Sequence, residues 1–223
     1  MDQLLTRRGL LAAGCALPLL AFPACNSIPG FGMVDALRRL LTISSQRAFA
    51  RLLTDEGFFQ DEVARIPLPP QLGGAGTVAG ALLGSSLVQN QLLRLMNRAA
   101  ANAAEVAAPI VYDSIRSMSF SDAVSLVRGG PTAATDFLQR SMGDAIVTAM
   151  FPGVGNALRT FDNGIVNQVV RSATGIDFAG LQRHVTQSAA NGIYRAIGRE
   201  ETAIRADPRS TNDPAIIAVF GVL

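Results

Sequence analysis

Between Ser85 and Met118 the apolar residues Val88, Leu92, Leu95, Met96, Ala99, Ala103, Val106 and Ile110 fall on one stripe at helical spacing. A stripe of that length commits the chain to one long helix, bent at Pro109. Such a helix is stable only when other elements cover its apolar face. The run Ala99-Ala100-Ala101-Asn102-Ala103-Ala104 carries little side-chain bulk, so a neighbouring helix can approach closely there.

The rest of the chain repeats the pattern. From Val34 to Leu53, Leu37, Leu40, Leu41, Ile43, Phe49 and Leu52 predict a first helix, ended by Asp55-Glu56-Gly57. Phe58 to Arg65 predicts a short second helix. Ile66-Pro67-Leu68-Pro69-Pro70 cannot continue it, because three prolines remove donors and fix φ. The glycine-rich stretch Gly73 to Gly84 reads as a loop or a frayed helix start. Ser119-Phe120-Ser121-Asp122 predicts a capping box, with the Ser119 hydroxyl over the Asp122 amide, opening a short helix to Val127. Gly129-Gly130-Pro131 closes that helix and puts proline in the first turn of the next. Helices follow over Thr132 to Ala149, Gly155 to Arg171 and Asp177 to Ala206, with breaks at Phe151-Pro152-Gly153 and Thr174-Gly175. Asp213 to Phe220 predicts a terminal helix opened by Pro214. No segment alternates with period two for long enough to be a strand. The expected fold is all-α, a single domain of about six to eight helices.

The first 25 residues follow different rules. Thr6-Arg7-Arg8-Gly9-Leu10-Leu11 sets two arginines before an apolar stretch, Gly9 to Ala24, that ends at Cys25. With Pro18 and Pro23 inside it, that stretch is shorter than the roughly 20 apolar residues a spanning helix needs. A charged front, an apolar middle and a cut site make a secretory signal, which takes no part in the fold. Arg7 and Arg8 resemble the twin-arginine export signal. Phe22-Pro23-Ala24-Cys25 resembles a lipobox, whose cysteine becomes the new N-terminus and carries lipid, although Phe22 stands where the pattern prefers Leu, Val or Ile. Asn26 is not the aspartate that retains such proteins at the inner membrane. The expected organisation is a signal peptide over 1–24, lipidation at Cys25, a tether over 25–33 and a helical domain over 34–221. The expected address is the periplasmic face of a bacterial membrane, the outer one in preference.

Composition then limits the chemistry. The 19 arginines and 17 carboxylates become 17 and 16 once Asp2, Arg7 and Arg8 are removed, and there is no lysine. A balanced surface without a basic run gives no footprint for nucleic acid. Both cysteines, Cys15 and Cys25, lie in the leader, so the domain has no disulfide and packing alone must stabilise it.

Asn97-Arg98-Ala99-Ala100, Pro109-Ile110, Met118-Ser119-Phe120-Ser121-Asp122-Ala123, Gly129-Gly130 and Ala133-Ala134-Thr135 together resemble the bacterial DUF4197 family. So does the tail, in Glu200-Glu201, Ile204-Arg205, Pro208-Arg209 and Val219-Phe220-Gly221. The likeness spans about Val34 to Gly221. The family pattern has glutamate after Asn-Arg-Ala-Ala; here Ala101 stands in that place, with Glu105 one turn on. The resemblance implies a helical, exported and often lipidated envelope protein, and brings no activity with it.

Without lysine, with His184 as the single histidine and with no cysteine beyond Cys25, one chain has no Schiff-base or P-loop lysine, no thiol nucleophile and no zinc site with two His or Cys ligands. Leu181, Val185, Ala189, Ile193 and Ile197 mark the buried face of the helix from Asp177, so His184 is expected in solvent with Gln187, Asn191 and Arg195. Gly74 to Gly80 lacks the preceding strand and the lysine of a phosphate loop. Asp55, Glu56, Asp61 and Glu62 do not have the spacing of a calcium loop and read as helix-end caps. Glu201 and Arg205, four apart with the acid first, read as an exposed pair worth about 0.2–0.5 kcal/mol. Arg94, Asn97, Arg98 and Glu105 share one side of the long helix; facing inward, they would make a buried polar seam that sets helix register or lines a ligand cleft.

No catalytic, cofactor or metal residue is assigned. The expected function is a non-enzymatic lipoprotein domain, held to the membrane through Cys25, that binds an envelope protein or assists envelope upkeep. The alternative is a helical module for a small apolar or amphipathic ligand, held where the alanines leave room. The third reading is an enzyme working through carboxylates alone, which needs two acids converging in one cleft with perturbed pKa values.

Overall fold

The computed structural model describes residues 32–69, 86–160 and 178–222. Among them are eight α-helices and no strand, as the periodicity requires. Helix α1 (Met33–Leu52) turns Leu37, Leu40, Leu41, Phe49 and Leu52 inward, and Asp35 and Arg51 complement the helix dipole at its two ends. The one-turn α2 (Gly57–Gln60) stands in place of the longer second helix expected to Arg65. The Asp61 carboxylate accepts the Val63 and Ala64 amides, which folds the chain into a turn.

The long stripe forms α3 (Ser86–Ser117), which continues through Pro109 and extends about 48 Å at 1.5 Å per residue. Its alanines work as expected. Ala99, Ala100, Ala103, Ala104 and Ala107 are fully buried, and the helix that packs most extensively on α3 is α6 (Ala145–Thr160). The α6 backbone comes so close that a methyl on Gly153 would stand 3.5 Å from the Ala103 Cβ. Because α6 covers the alanine side, the buried stripe continues through Val111 and Ile115, and Val106 is left half exposed.

Helices α4 (Ala123–Val127) and α5 (Ala133–Met142) are short. Asp122, not Ser119, caps α4, accepting the Ser125 amide at 3.1 Å. Pro131 lies outside α5, whose N-cap is Thr132. The single helix expected over Thr132 to Ala149 is divided at Gly143, where φ is 52°. The break expected at Pro152 does not occur; Pro152 lies inside α6. Proline there weakens the α6 ladder. Gln182 pins this part of α6 from outside by donating to the Phe151 carbonyl at 2.7 Å, through space that only glycine leaves, since a Cβ on Gly155 would stand 2.5 Å from the Gln182 Nε2.

Helix α7 (Phe178–Ala206), a 3₁₀ turn (Pro208–Thr211) and α8 (Pro214–Phe220) complete the chain. Asp213 caps α8 through the Ala215 and Ile216 amides. The four long helices pack in a ring, α1 on α3 and α7, and α6 on α3 and α7, with α3 touching α7 across the middle. Each fully buried large side chain in that core, such as Leu40, Phe58, Met96 or Ile193, contributes about 1.5–3 kcal/mol. No described helix is long and apolar enough to cross a membrane. The leader with Arg7, Arg8 and Cys25, the stretch Gly73 to Gly84 and the expected helix end at Arg171 lie outside the described residues.

Candidate functional site

A cleft of about 470 Å³ opens where the turn after α1 meets α3; Leu53, Thr54, Asp55, Glu56 and Phe59 form one wall, and Arg94, Asn97, Arg98, Ala101, Asn102 and Glu105 the other. Its volume falls within the range of small-ligand sites. The turn is built tightly. Glu56 adopts a left-handed conformation, φ 59°, which costs a non-glycine residue about 1–2 kcal/mol. Gly57 follows because a Cβ would come within 2.3 Å of the Arg51 carbonyl oxygen and 2.6 Å of that of Leu52. This arrangement brings Phe59 over α3, where the guanidinium groups of Arg65 and Arg94 lie 4.2 and 4.5 Å from its ring centroid.

Glu56 pairs with Arg94. The hydrogen bond from Arg94 and the charges of Arg94 and Arg98 hold the Glu56 carboxyl below the usual carboxylate range. Asn97 has a different task. Its Oδ1 accepts the Ile66 amide at 2.9 Å while its Nδ2 donates to the Ile66 carbonyl at 3.2 Å and the Leu93 carbonyl at 2.7 Å. The proline-rich segment, which cannot form a helix, is thereby satisfied from α3.

The structure thus gathers Arg94, Asn97, Arg98 and Glu105 into one cleft but not into a buried seam. Only Asn97 is buried; Arg94, Arg98 and Glu105 are exposed, because the one-turn α2 covers too little of α3 to enclose them. Sequence reasoning missed Glu56, Phe59 and Asn102 as partners of this set. The adjacent Glu56-Gly57 was its one local signal, a turn after an apolar helix.

The family model for the protein of unknown function DUF4197 matches residues 29–221. The chain belongs to that family. No curated protein and no solved structure matches it.

This DUF4197 domain holds a second polar centre that is buried. Glu201 and Arg205 are not the exposed pair their spacing suggested; Glu201 is fully buried. The Glu201 carboxylate accepts the Ala134 amide at 3.0 Å, the Thr135 amide at 2.7 Å, the Thr135 hydroxyl at 2.6 Å and Arg205 Nε at 2.8 Å. It is the N-terminal cap that α5 lacks from Thr132. Arg205 then donates to the carbonyls of Val127 and Leu126 at the end of α4 and lies 4.9 Å from the Phe220 ring centroid. One ion pair ties together α4, α5, α7 and α8.

The remaining candidates also have structural partners. Asp61 receives a two-pronged pair from Arg199, at 2.9 and 2.7 Å. Burial raises the Asp61 pKa, but the bonds from Arg199, Ala64 and Val63 outweigh it and the net direction is down. The His184 Nε2 lies 3.0 Å from the Pro67 carbonyl oxygen, so the ring meets the proline-rich segment. Among the described residues no group of three His, Cys, Asp or Glu side chains could hold a metal. Every described carboxylate with a shifted pKa, Glu56, Asp61, Asp122 and Asp213, is shifted downward.

Proposed function

We propose that this DUF4197 protein is an exported, lipid-anchored bacterial lipoprotein whose helical domain is a non-catalytic binding unit on the periplasmic face of the outer membrane. The leader supports the address: Arg7 and Arg8 precede an apolar stretch that stops at Cys25. Only seven residues separate Cys25 from Met33, the first residue of α1. A lipid on Cys25 therefore keeps the start of α1 within about 25 Å of its membrane.

One observation carries the choice of binding over chemistry. The open cleft presents cations and carboxylates together, and its Glu56 carboxylate is already paired with Arg94, which favours the charged form. A general acid or base near neutrality needs the opposite shift. The alanine face offers no seat for an apolar ligand, since α6 packs on it.

Fatty-acid labelling tests the address. Cys25→Ala removes the label and releases the domain from the membrane fraction; a label that persists refutes the anchor. Replacing Arg7 and Arg8 with lysine blocks export by the twin-arginine route, and normal export of that variant assigns the leader to the general secretory route instead. Crosslinking in intact cells from the exposed wall of the cleft tests binding, and failure to capture anything refutes it.

A further inference from the structure

We propose that the cleft between the α1–α2 turn and α3 receives a short dipolar peptide, its free carboxylate held by Arg94 and Arg98 and its free ammonium group by Glu105. The inference rests on the reading of this domain as a binding unit and names the chemistry of its ligand.

The molecule already shows where an anion sits. Glu56 places its carboxylate on Arg94 at the mouth of the cleft. The Arg94 guanidinium lies against the Phe59 ring, and a stacked guanidinium keeps its N–H edge free for a carboxylate. Arg98, one helical turn on, lines the same cleft and its charge also acts on Glu56. The Glu56–Arg94 pair is open to solvent, so an incoming carboxylate exchanges with Glu56 while Arg94 stays paired.

The opposite charge stands further along. Glu105 lies seven residues beyond Arg98 on α3 and lines the same cleft with Asn102. Two turns of helix separate their backbones by about 10.5 Å. An extended chain of three residues covers about 10 Å.

The arrangement of charge favours a ligand that carries both signs. Three carboxylates, Asp55, Glu56 and Glu105, face two guanidinium groups in the lining. A purely anionic ligand adds to that negative surplus, and a purely cationic one answers Glu105 but gains nothing from Arg94 and Arg98. A ligand with an anionic end and a cationic end meets each with its opposite.

Calorimetric titration of the full chain in detergent with trialanine, N-acetyl-trialanine and trialanine amide tests the assignment. Trialanine binds, and blocking either terminus weakens it about tenfold. Arg98→Gln weakens trialanine by a similar factor without further weakening the amide, and Glu105→Gln does the same without further weakening the acetylated peptide. Both positions are exposed, and an unchanged circular dichroism melt establishes that each variant is folded. Absence of binding at millimolar trialanine, or equal binding of the blocked peptides, overturns the proposal. A photocrosslinker at Asn102 in intact cells separates the two levels. Captured protein with no trialanine binding refutes the peptide and keeps the binding unit, whereas neither result refutes both.

Discussion

Replacing Glu201 with glutamine changes one atom of a side chain that receives four hydrogen bonds, and the loss can be worked out from their arrangement. One carboxylate oxygen takes the Ala134 amide and Arg205 Nε; the other takes the Thr135 amide and hydroxyl. The hydroxyl can reverse its role, but the three N–H donors cannot. Either orientation of the glutamine amide therefore sets its NH₂ against at least one N–H of the α5 terminus. Losing one cap contact costs about 1 kcal/mol. Arg205 also loses its counter-charge, and breaking a buried pair costs about 3–5 kcal/mol. Because Arg205 keeps the carbonyls of Leu126 and Val127 and its side chain is 12% exposed, the low end applies. Glu201→Gln is expected to destabilise the domain by about 3 kcal/mol in urea titration followed by circular dichroism. For a domain of this size the melting temperature falls by about 6–12 °C. Asp113→Asn, which removes an exposed pair with Arg116 near the end of α3, is the control and costs under about 0.5 kcal/mol. A loss below about 1 kcal/mol for Glu201→Gln would refute the reasoning, because it would mean the carboxylate is solvated and α5 has another cap.

Acid stability provides a second measurement. Asp61 has a lowered folded-state pKa, so its contribution is complete above the unfolded value of about 3.9 and is lost as pH falls through the lower folded value. Asp61→Asn is expected to weaken the domain by about 1–2 kcal/mol at pH 7 and to flatten the loss of stability below about pH 4; an acid limb as steep as that of the native chain would count against it. Tyr194 gives a prediction of the opposite sign. Its hydroxyl is buried without a partner among the described residues, and burial pushes its pKa up to about 12. Tyr194→Phe is expected to raise stability by about 1 kcal/mol in the same titration, and a loss would show that the hydroxyl is satisfied.

The all-α class, the long α3 and the short α8 were legible in the sequence because each depends on local periodicity and its own end signals. Gly143 and Pro152 were misjudged for complementary reasons. An isolated glycine in a helical pattern is often tolerated, and only the structure shows it at φ 52°. Proline is usually a break, and only the structure shows the helix continuing through Pro152 with Gly153 packed against Ala103 of α3. The candidate site was half legible. Arg94, Arg98 and Glu105 could be grouped because they lie on one helix, whereas Glu56 and Phe59 reach them from 38 and 35 residues before Arg94. The buried centre was misread because i,i+4 spacing is the same whether a pair faces water or the core. What buries Glu201 is the start of α5, more than 60 residues upstream.

Helix α7 gives these misreadings a common physical cause. Beyond its apolar face it supplies polar side chains to parts of the chain too short or irregular to satisfy their own backbone. Arg195 donates to the Val63 carbonyl at 2.6 Å, Glu201 caps α5 and Arg205 donates to the last carbonyls of α4. A five-residue helix such as α4 is unstable alone, since nucleation outweighs what one turn returns. Its existence depends on Arg205, and the position of α5 depends on Glu201. Polar residues that a sequence reader assigns to the solvent face of α7 are therefore what fixes the short elements around it. The cleft differs in kind: Arg94, Arg98 and Glu105 are exposed on α3, and Arg94 leans on a residue, Glu56, whose own backbone is strained. An ion pair open to solvent costs less to exchange than a buried one. That difference separates the polar residues that build this domain from those available to a ligand.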